Sequence, residues 1–273
     1  MHSGNFRASG VITLTTDFGL KDPFVGVMKG QVLRRFPDAR IIDLTHKILA
    51  HWPAEAGFWL SRSFRYFPEG TVHVAVVDPG VGSSREIAVV ETEGHLFLAP
   101  DNGLLGTVVE QASAPLVQRR LAASVLTGLG IHKVSATFHG RDIFAPVAAA
   151  IAGGVNIDDL GPPVADIERF DLPMPEQEGS RINGRVLYVD TFGNLTTNIS
   201  GAMLARCDGG RLEVRVLGAV IRGLSRAYSD VPAGALLAYV GSAGLLEIGV
   251  NRQSAATRLG AGVGTPVSVG LPA

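Results

Sequence analysis

Residues 71–85 read TVHVAVVDPGVGSSR, a β-branched run that ends on a carboxylate and opens into a loop carrying two glycines. The core of the run, VHVAVV, does not alternate apolar with polar positions. That is the pattern of a strand buried on both faces, and such strands belong to parallel sheets covered by helices. Working outward, VITLTT (11–16) and RIIDL (40–44) are runs of the same kind. Between those two, Val25, Met28, Val32 and Phe36 recur at i, i+3, i+7 and i+11, one apolar face of a helix. A second helix is expected over residues 54–66, started after Pro53. The alternation predicts an N-terminal three-layer α/β domain with a central, mostly parallel sheet over residues 11–165.

The texture changes at 161–180, GPPVADIERFDLPMPEQEGS, where prolines and acids replace any apolar period. The linker is therefore placed at 166–181. Beyond it come closely spaced short strands, GRVLYVD (184–190), RLEVRVLG (211–218), ALLAYVG (235–241), LLEIGV (245–250) and TPVSVG (265–270), so residues 182–271 are expected to form an all-β barrel domain. A length of 273 residues suits one larger and one smaller domain.

With 46% hydrophobic and 18% charged residues, 34 Gly and 15 Pro, the chain has the make-up of a turn-rich globular enzyme. A formal net charge of -1, without a run of Lys and Arg, leaves nothing to neutralise a nucleic-acid backbone. Cys207 is the only cysteine, which excludes an intrachain disulfide and a multi-cysteine zinc site and fits a reducing cytoplasm; it reads as a small buried apolar side chain. The apolar stretches 143–151 and 235–240 are far below the ~20 residues a bilayer span needs, and the first ten residues lack the pattern of a signal peptide, so neither membrane nor export is expected.

Asp17 and Asp78 each close a predicted strand, where open α/β sheets hold ligands. Asp17 also reads as a helix N-cap or turn residue. The loop DPGVGSSR resembles a phosphate cradle at first sight, but Arg85 stands where a dinucleotide fingerprint carries its third glycine, and no Walker lysine follows. Seven scattered histidines form no metal-binding pair, so no metal is expected. His73 lies inside an apolar strand and reads as a core side chain, while His46 and His51 flank a helix start. His139, in FHGRD before the apolar helix 143–151, is open to a structural or a functional reading. No GxSxG elbow occurs, which disfavours serine acyl transfer. Asp190 to Asn194, DTFGN, has the look of an Asx-turn.

Taken together, TTDFG (15–19), VDPGVGSSR (77–85), APDNGLL (99–105), TFHGRD (137–142) and VDTFGNLTTNI (189–199) resemble the S-adenosylmethionine hydrolases that form adenosine, also called hydroxide adenosyltransferases, relatives of the fluorinase and chlorinase. The resemblance runs from about residue 11 to about residue 270. It implies an α/β domain followed by a β-barrel, and a homotrimer with its sites at subunit interfaces, between one subunit's N-terminal domain and its neighbour's C-terminal domain. It implies that Asp78, Arg85 and His139 surround an attacking water. Asp17 would hold the ribose hydroxyls, a task suited to a two-oxygen acceptor. Asn194, Tyr228, Ser242, Glu247 and Val250 would line the adenine and methionine pockets, and Asp190 would pair with the methionine ammonium. Trp52 aligns with a pocket wall, or is a structural interface aromatic. Substrate and products would be S-adenosylmethionine, adenosine and methionine, with no cofactor.

Two departures separate the chain from the halogenase branch. Asp78 stands where the fluorinase carries a tyrosine, and the loop between Glu91 and Leu98, ETEGHLFL, lacks that branch's long insertion. A carboxylate repels halide but accepts a hydrogen bond from water, so hydrolysis is the consistent chemistry. The resemblance sets Arg85 beside Asp78, which points to a triad that places water rather than to a strong general base. Halogenation at C5′, a non-catalytic nucleoside or S-adenosylmethionine sensor, and a metal-dependent phosphate-ester hydrolase are the rival readings.

Overall fold

The first of the chain's two units runs β1 (Val11–Thr16), α1 (Phe24–Arg35), β2 (Arg40–Thr45), α2 (Pro53–Ser63), β3 (Val72–Val76), β4 (Ile87–Thr92), β5 (His95–Pro100), α3 (Gly106–Glu110), β6 (Val117–Arg120), α4 (Ala123–Gly128) and α5 (Ala145–Ala152). The second runs β7 (Glu176–Glu178), β8 (Arg181–Val189), β9 (Leu195–Ser200), α6 (Gly201–Leu204), β10 (Glu213–Val216), β11 (Ala219–Arg222), β12 (Leu236–Val240), β13 (Leu245–Val250), α7 (Ala255–Leu259) and β14 (Pro266–Gly270). The computed structural model describes residues 6–113, 115–170, 173–205 and 212–270, and its units are Met1–Asp171 and Leu172–Ala273. Cys207 lies outside the described residues. The span expected to be a linker holds the short strand β7, which pairs with β8.

The first unit's sheet has the order β2-β1-β3-β5-β4-β6. The β2–β1, β1–β3 and β3–β5 pairs are parallel, and the β5–β4 and β4–β6 pairs antiparallel. β3 is buried along its whole length. Val72, Val74 and Val76 pack with Met28, Val32 and the apolar face of α5, while Ala75 and Val77 join Leu60, Phe64 and Phe97 on the other side. Both faces are thus covered, the physical reason for the unbroken apolar run. β2, at the edge, is half open, with Ile42 exposed.

Three local readings are corrected. The segment 91–98 is not a loop: it forms the end of β4 and the start of β5, joined by Glu93 and Gly94 at φ 50° and 74°. Two left-handed residues in succession make the tight turn whose twist suits a hairpin. Helix α1 stops at Arg35, and Phe36 leaves at φ -137° while still packing on the same core. The helix expected over 54–66 ends at Ser63 and tightens into a 3₁₀ turn, Phe64–Tyr66.

In the second unit an antiparallel sheet runs β11-β10-β14-β8-β9-β13-β12. It curls toward a barrel: Ser225, just past the end strand β11, donates its N–H to the carbonyl of Ala238 on the opposite end strand β12 at 2.8 Å. A core including Val186, Leu195, Val214, Leu246, Ile248 and Val267 fills it.

Candidate active site

Asp78 emerges two residues beyond β3, at the carboxyl edge of the sheet. Its backbone enters two successive turns, with the Val81 N–H bonded to the Asp78 carbonyl at 3.2 Å and the Ser83 N–H to the Gly80 carbonyl at 3.2 Å. The turn brings Arg85 back over the start of the loop. Nε of Arg85 lies 2.9 Å from Oδ1 of Asp78, and the N–H of Gly80 donates to the same oxygen at 3.0 Å. Oδ2 of Asp78 has no partner among the described residues. The Asp78 side chain as a whole is only 7% exposed.

The loop's glycines serve this close return. A Cβ on Gly80 would stand 2.2 Å from Nη2 of Arg85, and one on Gly82, at φ 81°, would stand 2.1 Å from the carbonyl oxygen of Ala136. At Gly82 only glycine fits, whereas a side chain at Gly80 would push the Arg85 guanidinium aside.

His139 is held by its own motif. Oδ2 of Asp142 accepts the N–H of Ser135 at 2.8 Å, and Oγ of Ser135 accepts the N–H of Phe138 at 3.1 Å, which closes the segment into a loop with His139 near its end. Arg141 binds Asp142 through Nε at 2.5 Å and Nη2 at 2.8 Å, and its guanidinium lies over the Phe138 ring. That contact pulls the Asp142 carboxyl down to about 2. His139 starts a π-helical turn, Gly140–Phe144, that leads into α5, a feature concentrated at functional sites.

Asp17 leaves β1 in the turn TTDFG, and its Oδ2 accepts the N–H of His51 at 3.0 Å. Behind the turn Thr16 Oγ1 meets Nδ1 of the buried His46 at 2.8 Å, and His46 Nε2 lies 3.0 Å from Oδ1 of the exposed Asp43. His46 therefore supports the turn from within. His73 is a core residue, 2.8 Å from Thr13 Oγ1 and 3.1 Å from His95.

Asp17, Asp78 and His139 line one cavity of 310 Å³ together with Phe18, Phe24, Phe138 and His51. The three phenylalanines meet edge to face, at centroid distances of 6.1, 5.9 and 5.3 Å. Arg85 is tied to this cavity through Asp78 and itself lines a polar cavity of 800 Å³. The other arginines there are already engaged, Arg120 with Glu86 at 2.7 Å and Arg169 with Asp166 at 2.8 Å. Trp52 caps the start of α2, outside the 310 Å³ cavity, with its ring 6.3 Å from that of Phe170.

The second unit has a cavity of 680 Å³ lined by Asp190, Asn194, Tyr228, Glu247 and Val250, joined by Tyr239 and Arg252. Asp190 forms the expected Asx-turn, accepting the N–H groups of Phe192 at 2.9 Å and Asn194 at 2.8 Å on Oδ1. Nδ2 of Asn194 donates to Oδ2 at 2.7 Å. The hydroxyls of Tyr228 and Tyr239 are 2.6 Å apart. Burial pushes the Glu247 carboxyl up; a hydrogen bond with Tyr239 opposes this, and the charge of Asp190 adds to it. Ser242 lies in the β12–β13 turn, off the cavity lining.

Sequence reasoning did not single out Phe24, Tyr239 or Arg252. A tyrosine inside the apolar run ALLAYVG was the available signal for Tyr239. Arg252 has φ 64°, a strained state for a non-glycine residue that no local pattern announces. Among the described residues, no group of three His, Cys, Asp or Glu side chains converges on a metal position, and no helix is long and apolar enough to cross a membrane.

Comparison with known proteins places this geometry in context. The SAM hydroxide adenosyltransferase N-terminal domain model matches residues 12–161, and the C-terminal domain model of the same family matches residues 184–268. The (R)-S-adenosyl-L-methionine hydrolase of Thermus thermophilus is 40% identical over 257 residues, covering 92% of this chain and 96% of that protein. A fluorinase of Nocardia brasiliensis is 29% identical over 296 residues, covering 95% and 97%. A crystal structure of an uncharacterized conserved protein from Thermotoga maritima superposes with a TM-score of 0.87 at 37% identity, covering 94% of this chain and 99% of that one.

Proposed function

The chain belongs to the SAM hydroxide adenosyltransferase family, and from that premise we propose that it hydrolyses S-adenosylmethionine with Asp78, Arg85 and His139 placing the attacking water. The observation that carries the reading is the distribution of contacts on Asp78. Arg85 and the Gly80 N–H both use Oδ1, and Oδ2 is left to accept from a water in the cavity that His139 also lines.

Water oxygen attacks ribose C5′ and the C5′–S bond breaks, its electron pair returning to sulfur as the thioether of methionine. One water proton stays on the hydroxyl of adenosine and the other is released. A cationic sulfonium becomes a neutral leaving group, so the reaction asks for no Lewis acid and no redox partner. It asks for position: a water held in line is what a large effective molarity rewards. The carboxylates of Asp17 and Asp78, with the aromatic wall, form surroundings that favour a cation. Asp17 is assigned to the ribose hydroxyls, and Asp190, Asn194, Tyr228, Ser242, Glu247, Val250 and Trp52 to substrate binding. The active form is taken to be a cytoplasmic homotrimer with its sites at subunit interfaces, tested by light scattering of the purified protein.

The decisive experiment follows adenosine and methionine by chromatography, in fluoride, in chloride and after treatment with chelator. Adenosine at one rate in all conditions is expected. A halogenated nucleoside, or activity lost with chelator, would overturn the reading, as would binding without turnover. Asp78→Asn should lower kcat by about 100-fold while adenosine still binds.

A further inference from the structure

The motif APDNGLL carries no assigned role, yet its Asp101 and Asn102 sit at the joint between the sheet and the catalytic loop. We propose that Asn102 is a positioning residue that fixes the direction in which Asp78 leaves the sheet. The inference rests on the reading of Asp78 given above.

The ladder geometry makes the case. β3 is joined to β1 as far as the pair Thr16 and Val76, and to β5 as far as Val74 and Leu98. The next carbonyl, that of Val77, is past both ladders and belongs to a fully buried residue. A buried carbonyl without a partner costs free energy, and here its donor is the side chain of Asn102, whose Nδ2 lies 2.9 Å away. That carbonyl belongs to the peptide unit that joins Val77 to Asp78, so the bond sets the plane from which the Asp78 side chain projects.

Asn102 is itself held at both ends. Its Oδ1 accepts the N–H of Leu104 at 3.3 Å and its own N–H donates to the carbonyl of Pro100 at 2.9 Å. The neighbouring Asp101 ties down the far end of the same loop: its N–H donates to the carbonyl of Glu86, next to Arg85, at 2.9 Å. The two residues after β5 thus clamp the loop 78–86 at its entry and its exit. A loop held only at Asp78 could swing Oδ2 by an ångström, a displacement large enough to cost much of the rate.

The test is a double-mutant cycle. Asn102→Ala and Asn102→Asp, the second keeping the shape and the acceptor for Leu104 but removing the donor to Val77, should each lower kcat by about 10- to 100-fold with KM for S-adenosylmethionine and the affinity for adenosine within about three-fold. In the Asp78→Asn background, either change should lower kcat by less than about two-fold further, since the group being aimed is already gone. Full additivity would overturn the proposal. So would unchanged kcat in both single variants, or failure of both to fold. If Asp78→Asn itself leaves kcat intact, the water-placing role of Asp78 falls instead, and the two failures are told apart.

Discussion

Nε of Arg85 and the N–H of Gly80 meet on a single oxygen of Asp78, at 2.9 and 3.0 Å, and Arg85 reaches it by crossing the space where a Gly80 side chain would be. The pair is therefore a product of backbone shape as much as of charge.

Gly80→Ala should separate the pair without disturbing the core, because the atom displaced is the end of a long side chain. A drop in kcat of about 10-fold or more with an unchanged melting temperature is expected. Gly82→Ala should lower the melting temperature as well. Its left-handed backbone alone costs about 1–2 kcal/mol, and the backbone carbonyl of Ala136 cannot move aside. Paired kinetics and thermal melts decide, and a Gly80 variant at full activity would refute the link.

Asp142→Asn should loosen the loop that presents His139. The Arg141 contact is lost first, and kcat should fall by about ten-fold with the fold intact by circular dichroism. Since Arg141 holds the Asp142 carboxyl near 2, the clamp stays charged throughout the working range. Wild-type and variant pH profiles should then run parallel above about pH 4; an acid limb present only in the wild type would contradict the assignment.

His73 links stability to pH. Burial, with the neighbouring His95 adding to it, pulls the imidazole down to about 3 from 6.5. Below pH 6.5 the unfolded chain takes up a proton that the folded chain refuses. Stability contributed by neutral His73 is complete above that pH and is lost as the pH falls toward 3, at up to about 1.4 kcal/mol per pH unit. Urea melts should show a loss of about 2 kcal/mol between pH 6.5 and pH 5, reduced in His73→Gln. Equal slopes in the two proteins would rule this out.

Asn194→Ala strips Asp190 of the donor on its Oδ2 and should loosen the 680 Å³ cavity. KM for S-adenosylmethionine should rise by about ten-fold with kcat little changed. A fall in kcat at constant KM would move Asn194 out of binding and into the chemical step.

The sequence determined what depends on near neighbours in the chain. Burial on both faces writes itself as the run VHVAVV, a helix face as the spacing of Val25, Met28 and Val32, and an Asx-turn as DTFGN, so the α/β unit, the β-barrel unit and the carboxylates at the strand ends were legible without coordinates. The ordered motifs also marked the family. What only the tertiary structure decided is which atoms meet. That Arg85 and Gly80 spend one oxygen of Asp78 and leave the other, that His139 and Asp17 turn toward the same cavity of 310 Å³ while Trp52 stays off its lining and Ser242 off that of the 680 Å³ cavity, and that Asn102 holds a carbonyl 25 positions away are outcomes of packing between distant segments. So are the hairpin at Glu93 and Gly94 and the left-handed Arg252. A local pattern records how often a residue is buried, not against what, and contacts across the fold are fixed only when the whole core closes around them.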